Sequence, residues 1–160
     1  MSKLIDIQSI EIKGEKTKIV WQESSHYGNV DKRTLETKVE PHPDFFRSMR
    51  SLDSAQCVES ELLHDEDEYI RHDIVRVDFK WELDEQVGEI VMSASITSNR
   101  RMNNSGEPMK IVSPMKSESE TASFTLNSKT VEKLQAVLLE ANLFIEGKRN
   151  DLFASEEVSK

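Results

Sequence analysis

At 160 residues the chain suits one domain, which would bury roughly 70% of the surface its unfolded form exposes. Hydrophobic residues make up 36% and charged residues 32%, a balance that predicts long solvated loops around a modest core. The net charge of −9 argues against a phosphate-binding surface unless the basic residues gather on one face, and no apolar run is long enough for a secretory signal or a membrane span. Cys57 is the single cysteine and can form no internal disulfide, which fits a reducing compartment. The expected setting is soluble and cytoplasmic.

Leu4–Ile12 predicts a first strand whose parity changes midway. Ile5 and Ile7 share one face, whereas Ile10 and Ile12 share the other, and a β-bulge near Gln8–Ser9 would restore a common face. Lys13-Gly14-Glu15-Lys16 is a turn, after which Thr17, Ile19 and Trp21 resume alternation and complete a hairpin. Glu23–Asp31 reads as a polar loop. Leu35, Thr37 and Val39 mark a third strand, stopped by Pro41 and Pro43 because proline supplies no ladder donor. Pro43-Asp44 then opens a helix that carries Phe45, Phe46, Met49 and Leu52 on one face.

Between Asp53 and Ile70 stand seven acids, Asp53, Glu59, Glu61, Asp65, Glu66, Asp67 and Glu68, with no Lys or Arg among them. This stretch reads as an exposed loop with a short strand around Cys57–Leu63. The hairpin that organises the fold follows, over Ile74–Ser98. Val75, Val77, Phe79, Trp81 and Leu83 alternate on one face, and Ile90, Met92, Ala94 and Ile96 repeat the pattern after a short loop. Ser98–Pro108 reads as a loop, Met109–Val112 as a short strand ended by Pro114, and Lys116–Ala122 as a mobile stretch rich in serine and glutamate.

The last element is a helix from Lys129 to about Glu146, with Val131, Leu134, Leu138, Ala141 and Ile145 in one stripe flanked by Val137 and Phe144. Asn127 or Ser128 can cap its start, and Gly147 can take the left-handed position at its end. That stripe needs a surface, and the apolar face of the central hairpin is the one on offer. The expected fold is α+β, a predominantly antiparallel sheet with two helices packed on one face. Residues 1–147 form the single domain, and 148–160 form a flexible C-terminal tail.

Motifs for chemistry are sparse. His26, His42, His64 and His72 are scattered, and none pairs at the i, i+4 spacing of a helical zinc site. The run His64–Glu68 lacks the turn glycine of a calcium loop, so a solvated acidic surface for basic partners is the better reading. Cys57 carries no local signature of a nucleophile, and phosphate-cradling glycine motifs are absent. The pattern favours a binding protein over an enzyme, with no cofactor and no metal.

Nucleic acid is the sharper alternative, because small β domains hold single strands by stacking bases beside a cationic groove. Lys13, Lys16, Lys18, Lys32, Arg33, Arg100 and Arg101 supply charge from loops, and Trp21, Tyr27, Phe79 and Trp81 supply rings. Against stacking, Phe79 and Trp81 share a face with Val75 and Val77, and Trp21 aligns with Ile19. That alignment favours core positions.

The order of these features carries a resemblance. A hairpin precedes PHPDFFRSMRSL, a lone cysteine sits in an acidic stretch, and a VRVDFKW hairpin ends in VMSASITS. A short strand reaching a Ser-Pro, a C-terminal helix and the run Gly147-Lys148-Arg149 follow. Together they resemble a family of small, largely uncharacterised proteins encoded by tailed phages and prophages. The resemblance implies work alongside phage DNA replication or recombination. Tails in that family are similar to the short peptide by which replication proteins dock on the bacterial sliding clamp. Here Arg149-Asn150-Asp151-Leu152-Phe153 occupies that place, without the glutamine of such tails and with Ala154–Lys160 following. Leu152 and Phe153 are therefore candidate partner-binding residues, the alternative being that they fold back onto the domain.

Two functional readings result. In the first, the chain is a non-enzymatic phage-type accessory protein that binds single-stranded nucleic acid or a replisome partner. Lys13, Lys16, Lys18, Arg100, Arg101, Trp21 and Tyr27 would make the contact. In the second, it inhibits a host defence protein through an acidic surface that includes Glu59, Glu61, Asp65, Glu66, Asp67 and Glu68. Neither reading involves a membrane, and both leave self-association open.

Overall fold

The computed structural model describes residues 4–24, 30–53, 70–85, 88–102, 109–119, 122 and 124–147. In chain order the elements are β1 (Leu4–Lys13), β2 (Lys16–Ser24), β3 (Val30–Thr37), α1 (Pro43–Arg50), β4 (Ile70–Asp84), β5 (Glu89–Met102), β6 (Met109–Val112), β7 (Lys116–Ser117) and α2 (Ser128–Glu146). A single 3₁₀ turn, Ser51–Asp53, extends α1. The strands form one antiparallel sheet in the order β3-β2-β1-β4-β5-β6, with β7 also paired to β5. The fold is α+β.

The parity change in the first strand is resolved by a bulge. Ile7 stands opposite Trp21 and Ser9 opposite Val20, so Gln8 is the extra residue and both Ile7 and Ile10 are buried on one face. A second bulge was not legible in the alternation. Ile74 stands opposite Ser98 and Arg76 opposite Thr97, leaving Val75 as the extra residue. Ile74 and Val77 therefore share the core, and Val75 is only half-buried, which corrects the expected face at its first position.

With both bulges in place, directly paired residues line up across five strands: Leu35, Ile19, Ile10, Val77 and Ile96. All except the half-buried Leu35 are buried, and each such aliphatic side chain stabilises the fold by about 1.5–3 kcal/mol relative to exposure. Both helices cover this row. Phe45, Met49 and Leu52 join Leu134, Val137, Ala141 and Phe144 in a single core with the sheet. Within it, the rings of Phe45 and Phe144 lie 5.6 Å apart.

Helix α2 presents Leu134, Val137, Ala141 and Phe144 as its fully buried stripe, whereas Val131, Leu138 and Ile145 are half-buried. The centre is thus rotated from the expected one, because α2 packs beside α1 and its 3₁₀ extension. Its ends follow the expected chemistry. The Asn127 side chain accepts the Lys129 N–H at 2.9 Å, and Gly147 closes the helix at φ +119°. At α1, His42 Nδ1 accepts the Asp44 N–H at 3.1 Å, ahead of Pro43 in the first turn.

Three boundaries differ from expectation. β3 runs from Val30 to Thr37 rather than on to Val39, because Thr37 Oγ1 accepts the Val39 N–H at 3.0 Å and turns the chain out of the ladder. β4 begins at Ile70, and β5 continues to Met102 through residues that read as loop, since each segment supplies the other's backbone partners. β6 and β7 form one interrupted edge strand, with Val112 opposite Thr97 and Lys116 opposite Ala94. In the gap, Ser113 Oγ accepts the Ile96 N–H at 2.8 Å, and its carbonyl accepts the Ser95 hydroxyl at 2.6 Å. The Cys57–Leu63 strand and the 148–160 tail lie outside the described residues.

Candidate functional site

Lys13 and Lys16 flank the two-residue loop of the β1–β2 hairpin, and Gly14 at φ +60° supplies the conformation such tight loops require. Two residues on, Lys18 faces away from the core between Glu11 and Glu36, its direct cross-strand neighbours. These side chains, with Glu15 and Lys38, line a groove of ≈ 460 Å³. Lys16 Nζ lies 3.8 Å from Glu36 Oε1, a partly exposed ion pair of little energetic weight. The carboxylates offset part of the lysine charge, but they also hold four flexible cations around one opening.

Register carries the two arginines to the same end. β1 and β4 run antiparallel with Glu11 opposite Arg76, so the start of β4 lies beside the β1–β2 loop. Arg100 and Arg101 on β5 stand opposite His72 and Arg71 at that start. Their backbones are two strand spacings from β1, about 10 Å. Lys13, Lys16, Lys18, Arg100 and Arg101 thus share one end of the sheet.

The aromatic half of the expectation is corrected for Trp21. It is only 7% exposed, stands opposite Ile7 in the core and donates its Nε1–H to Glu23 at 3.0 Å, so its ring offers no platform to a base. Phe79 is buried against Trp81, with ring centroids 6.3 Å apart. Trp81 is half-buried and donates its Nε1–H to the Ile7 carbonyl at 2.8 Å. Among the described residues the ring at this end is Phe46, in a cavity of ≈ 350 Å³ that it shares with Ile12, Thr17, Pro41, Lys38, Glu15 and Glu40. The sequence places Phe46 on the apolar face of α1 rather than at a binding site, and gives no role to Lys38. The signal for Lys38 is register, since Thr37 pairs with Thr17 and brings the next residue to the loop.

Lys32 and Arg33 stand apart from this end, on the edge strand. Arg33 lies 3.6 Å from Glu23 and 3.7 Å from Asp31. Tyr27, the acidic candidates Glu59, Glu61, Asp65, Glu66, Asp67 and Glu68, and the tail residues Leu152 and Phe153 lie outside the described residues.

Among the described residues two cations have raised pKa values, each through its own strand neighbour. Arg76 is raised chiefly by its hydrogen bonds to Asp78, with Glu11 adding to the effect, and Lys80 by its bond to Glu82. Both are open-face ion pairs rather than acid–base machinery. The far end of the sheet has the opposite character. Glu82, Glu85 and Glu89 are exposed at the β4–β5 loop, and the paired Leu83 and Ile90 are 58% and 62% exposed among them.

Among the described residues no group of three His, Cys, Asp or Glu side chains is placed to hold a metal ion, and no helix is long and apolar enough to cross a membrane. Comparison with protein-family models, curated proteins and solved structures finds no match for this chain.

Proposed function

We propose that this is a non-enzymatic, phage-type accessory protein that binds single-stranded nucleic acid through the loop end of its sheet, in DNA replication or recombination. The observation that carries the reading is the gathering of Lys13, Lys16, Lys18 and Lys38 around one groove, with the Arg100 and Arg101 backbones at the same end. Gathered cations are the condition under which a chain of net charge −9 can hold a phosphate backbone. The partly exposed Phe46, on the helix-bearing face at the same end of the sheet, offers a base an apolar wall in place of Trp21.

The test is fluorescence anisotropy with a labelled single strand, titrated across salt. Affinity should fall with a log–log slope of about −0.7 per phosphate contacted. Arg100→Glu with Arg101→Glu should weaken all sequences alike and flatten that slope. Absence of binding at low salt, where attraction is strongest, would overturn the reading.

The acidic far end favours a second one. Exposed Leu83 and Ile90 within an acidic rim suit a basic protein partner, as an inhibitor of a host defence protein would need. Charge reversal at Glu85 and Glu89 would then abolish partner binding while leaving single-strand binding intact.

A further inference from the structure

Among the described strands the sheet has two edges, and only one is interrupted. At the β5 side the edge strand is broken into four residues and two, with Ser113-Pro114-Met115 between them, which leaves little backbone to template another strand. At the other side β3 runs unbroken for eight residues, and no described strand pairs with its outer edge. Most of its side chains are exposed. Natural sheets guard such an edge with charge, and β3 carries Asp31, Lys32, Arg33 and Glu36. That charge repels most incoming strands, but its order matches one strand well, which is β3 itself.

Two copies related by a two-fold axis perpendicular to the sheet pair antiparallel with the same faces aligned, so each residue can oppose only residues an even number of positions away. Centred on Arg33, the pairing sets two arginines face to face. Centred on Leu35, it sets Thr34 against Glu36 and carries Lys32 past the end of β3, so that Lys32 has no strand partner. Centred on Thr34, it sets Thr34 against Thr34, and Lys32 against Glu36 twice, on the open face where β2 already positions both by pairing Gln22 with Lys32 and Lys18 with Glu36. On the helix-bearing face the half-buried Leu35 then meets the stem of Arg33, whose guanidinium is already balanced by Asp31 and Glu23.

We propose that the outer edge of β3 is a self-association surface on which a second copy of this chain adds antiparallel, in the register centred on Thr34. The sheet then continues across the two-fold axis, and the two β1–β2 loop ends point in opposite directions. The charges thus have two effects: they select the self-pairing and exclude other strands.

Sedimentation equilibrium of the full chain tests this. The unaltered protein should sediment at twice the chain mass at high micromolar concentration. Lys32→Glu alone and Glu36→Lys alone, which place like charges opposite each other, should sediment as monomers. The double variant carrying both should return to the dimer. Both positions are exposed, and unchanged melting of each variant would show that the fold is intact. Hydrogen exchange gives the second measurement, since β3 amides protected in the dimer should lose protection in either single variant. The proposal is overturned by a monomeric unaltered protein, including one whose β3 amides are already protected by its own chain. It is equally overturned by single variants that stay dimeric, or by a double variant that stays monomeric.

Discussion

Single residues in this fold divide by how completely they are withdrawn from water. Ser113 is 5% exposed and mends the interrupted edge strand twice, accepting the Ile96 N–H and receiving the Ser95 hydroxyl. Ser113→Ala removes the acceptor and strands a buried N–H, so urea unfolding should show a loss of about 1–3 kcal/mol. Arg76 makes as many polar contacts, to Asp78 at 2.9 Å and Glu11 at 3.6 Å, but its side chain is 41% exposed. Screened by solvent, its pairs contribute under about 1 kcal/mol. Its raised pKa also fixes the pH behaviour: the contribution is fully present below the unfolded value and lost only as pH rises through the folded one, far above neutrality. Arg76→Gln should therefore cost the same small amount at neutral and mildly alkaline pH, and less in high salt.

At the scale of elements, the helices are fixed by stripes whose centres can be tested. Leu134 is fully buried on α2, whereas Leu139 is 59% exposed on the same helix. Leu134→Asp places an unpaired charge in the core and should cost several kcal/mol, about 3–5, or unfold the chain. Leu139→Asp should lie within about 0.5 kcal/mol of the unaltered protein. Equal melting temperatures for the two would refute the packing. The stripe itself was legible, but its centre was not, because Leu134, Val137, Leu138 and Ala141 are all apolar and the choice among them belongs to α1. The strands show the same division. The Gln8 bulge could be read because Ile7 and Ile10 break parity, whereas the Val75 bulge is hidden by Ile74 beside it, two apolar residues of which either could lead. Leu83 and Ile90 keep perfect alternation yet remain exposed, since alternation reports a face and not how far the helices cover it. In the candidate site, Lys13, Lys16 and Lys18 were legible together because a tight hairpin makes them neighbours. Lys38 and Phe46 depend on β2–β3 register and on where α1 lands, which no local pattern encodes.

At the scale of the whole molecule, among the described residues, Lys13, Lys16, Lys18 and Lys38 gather with Glu11, Glu15 and Glu36 at the β1–β2 loop end, and Glu82, Glu85 and Glu89 stand at the β4–β5 loop. That arrangement separates two explanations of any nucleic-acid binding, a local site or the overall field. Ser9 stands opposite Asp78, so Lys80 lies level with Ile7, about 20 Å along the strands from Lys13 and Lys16. This is roughly two Debye lengths at physiological salt, about 8 Å each, so a charge at one end is largely screened from the other. Lys16 and Lys80 are both well exposed, at 51% and 63% of their side chains, and each has a glutamate partner. Lys16→Glu and Lys80→Glu change the net charge equally and should disturb the fold little. If phosphates are held at the loop end, Lys16→Glu should weaken single-strand binding several-fold by anisotropy at physiological salt, and Lys80→Glu should change it less than twofold. Equal losses would mean that the strand responds to total charge, and the assignment of the site to the β1–β2 loop would fall.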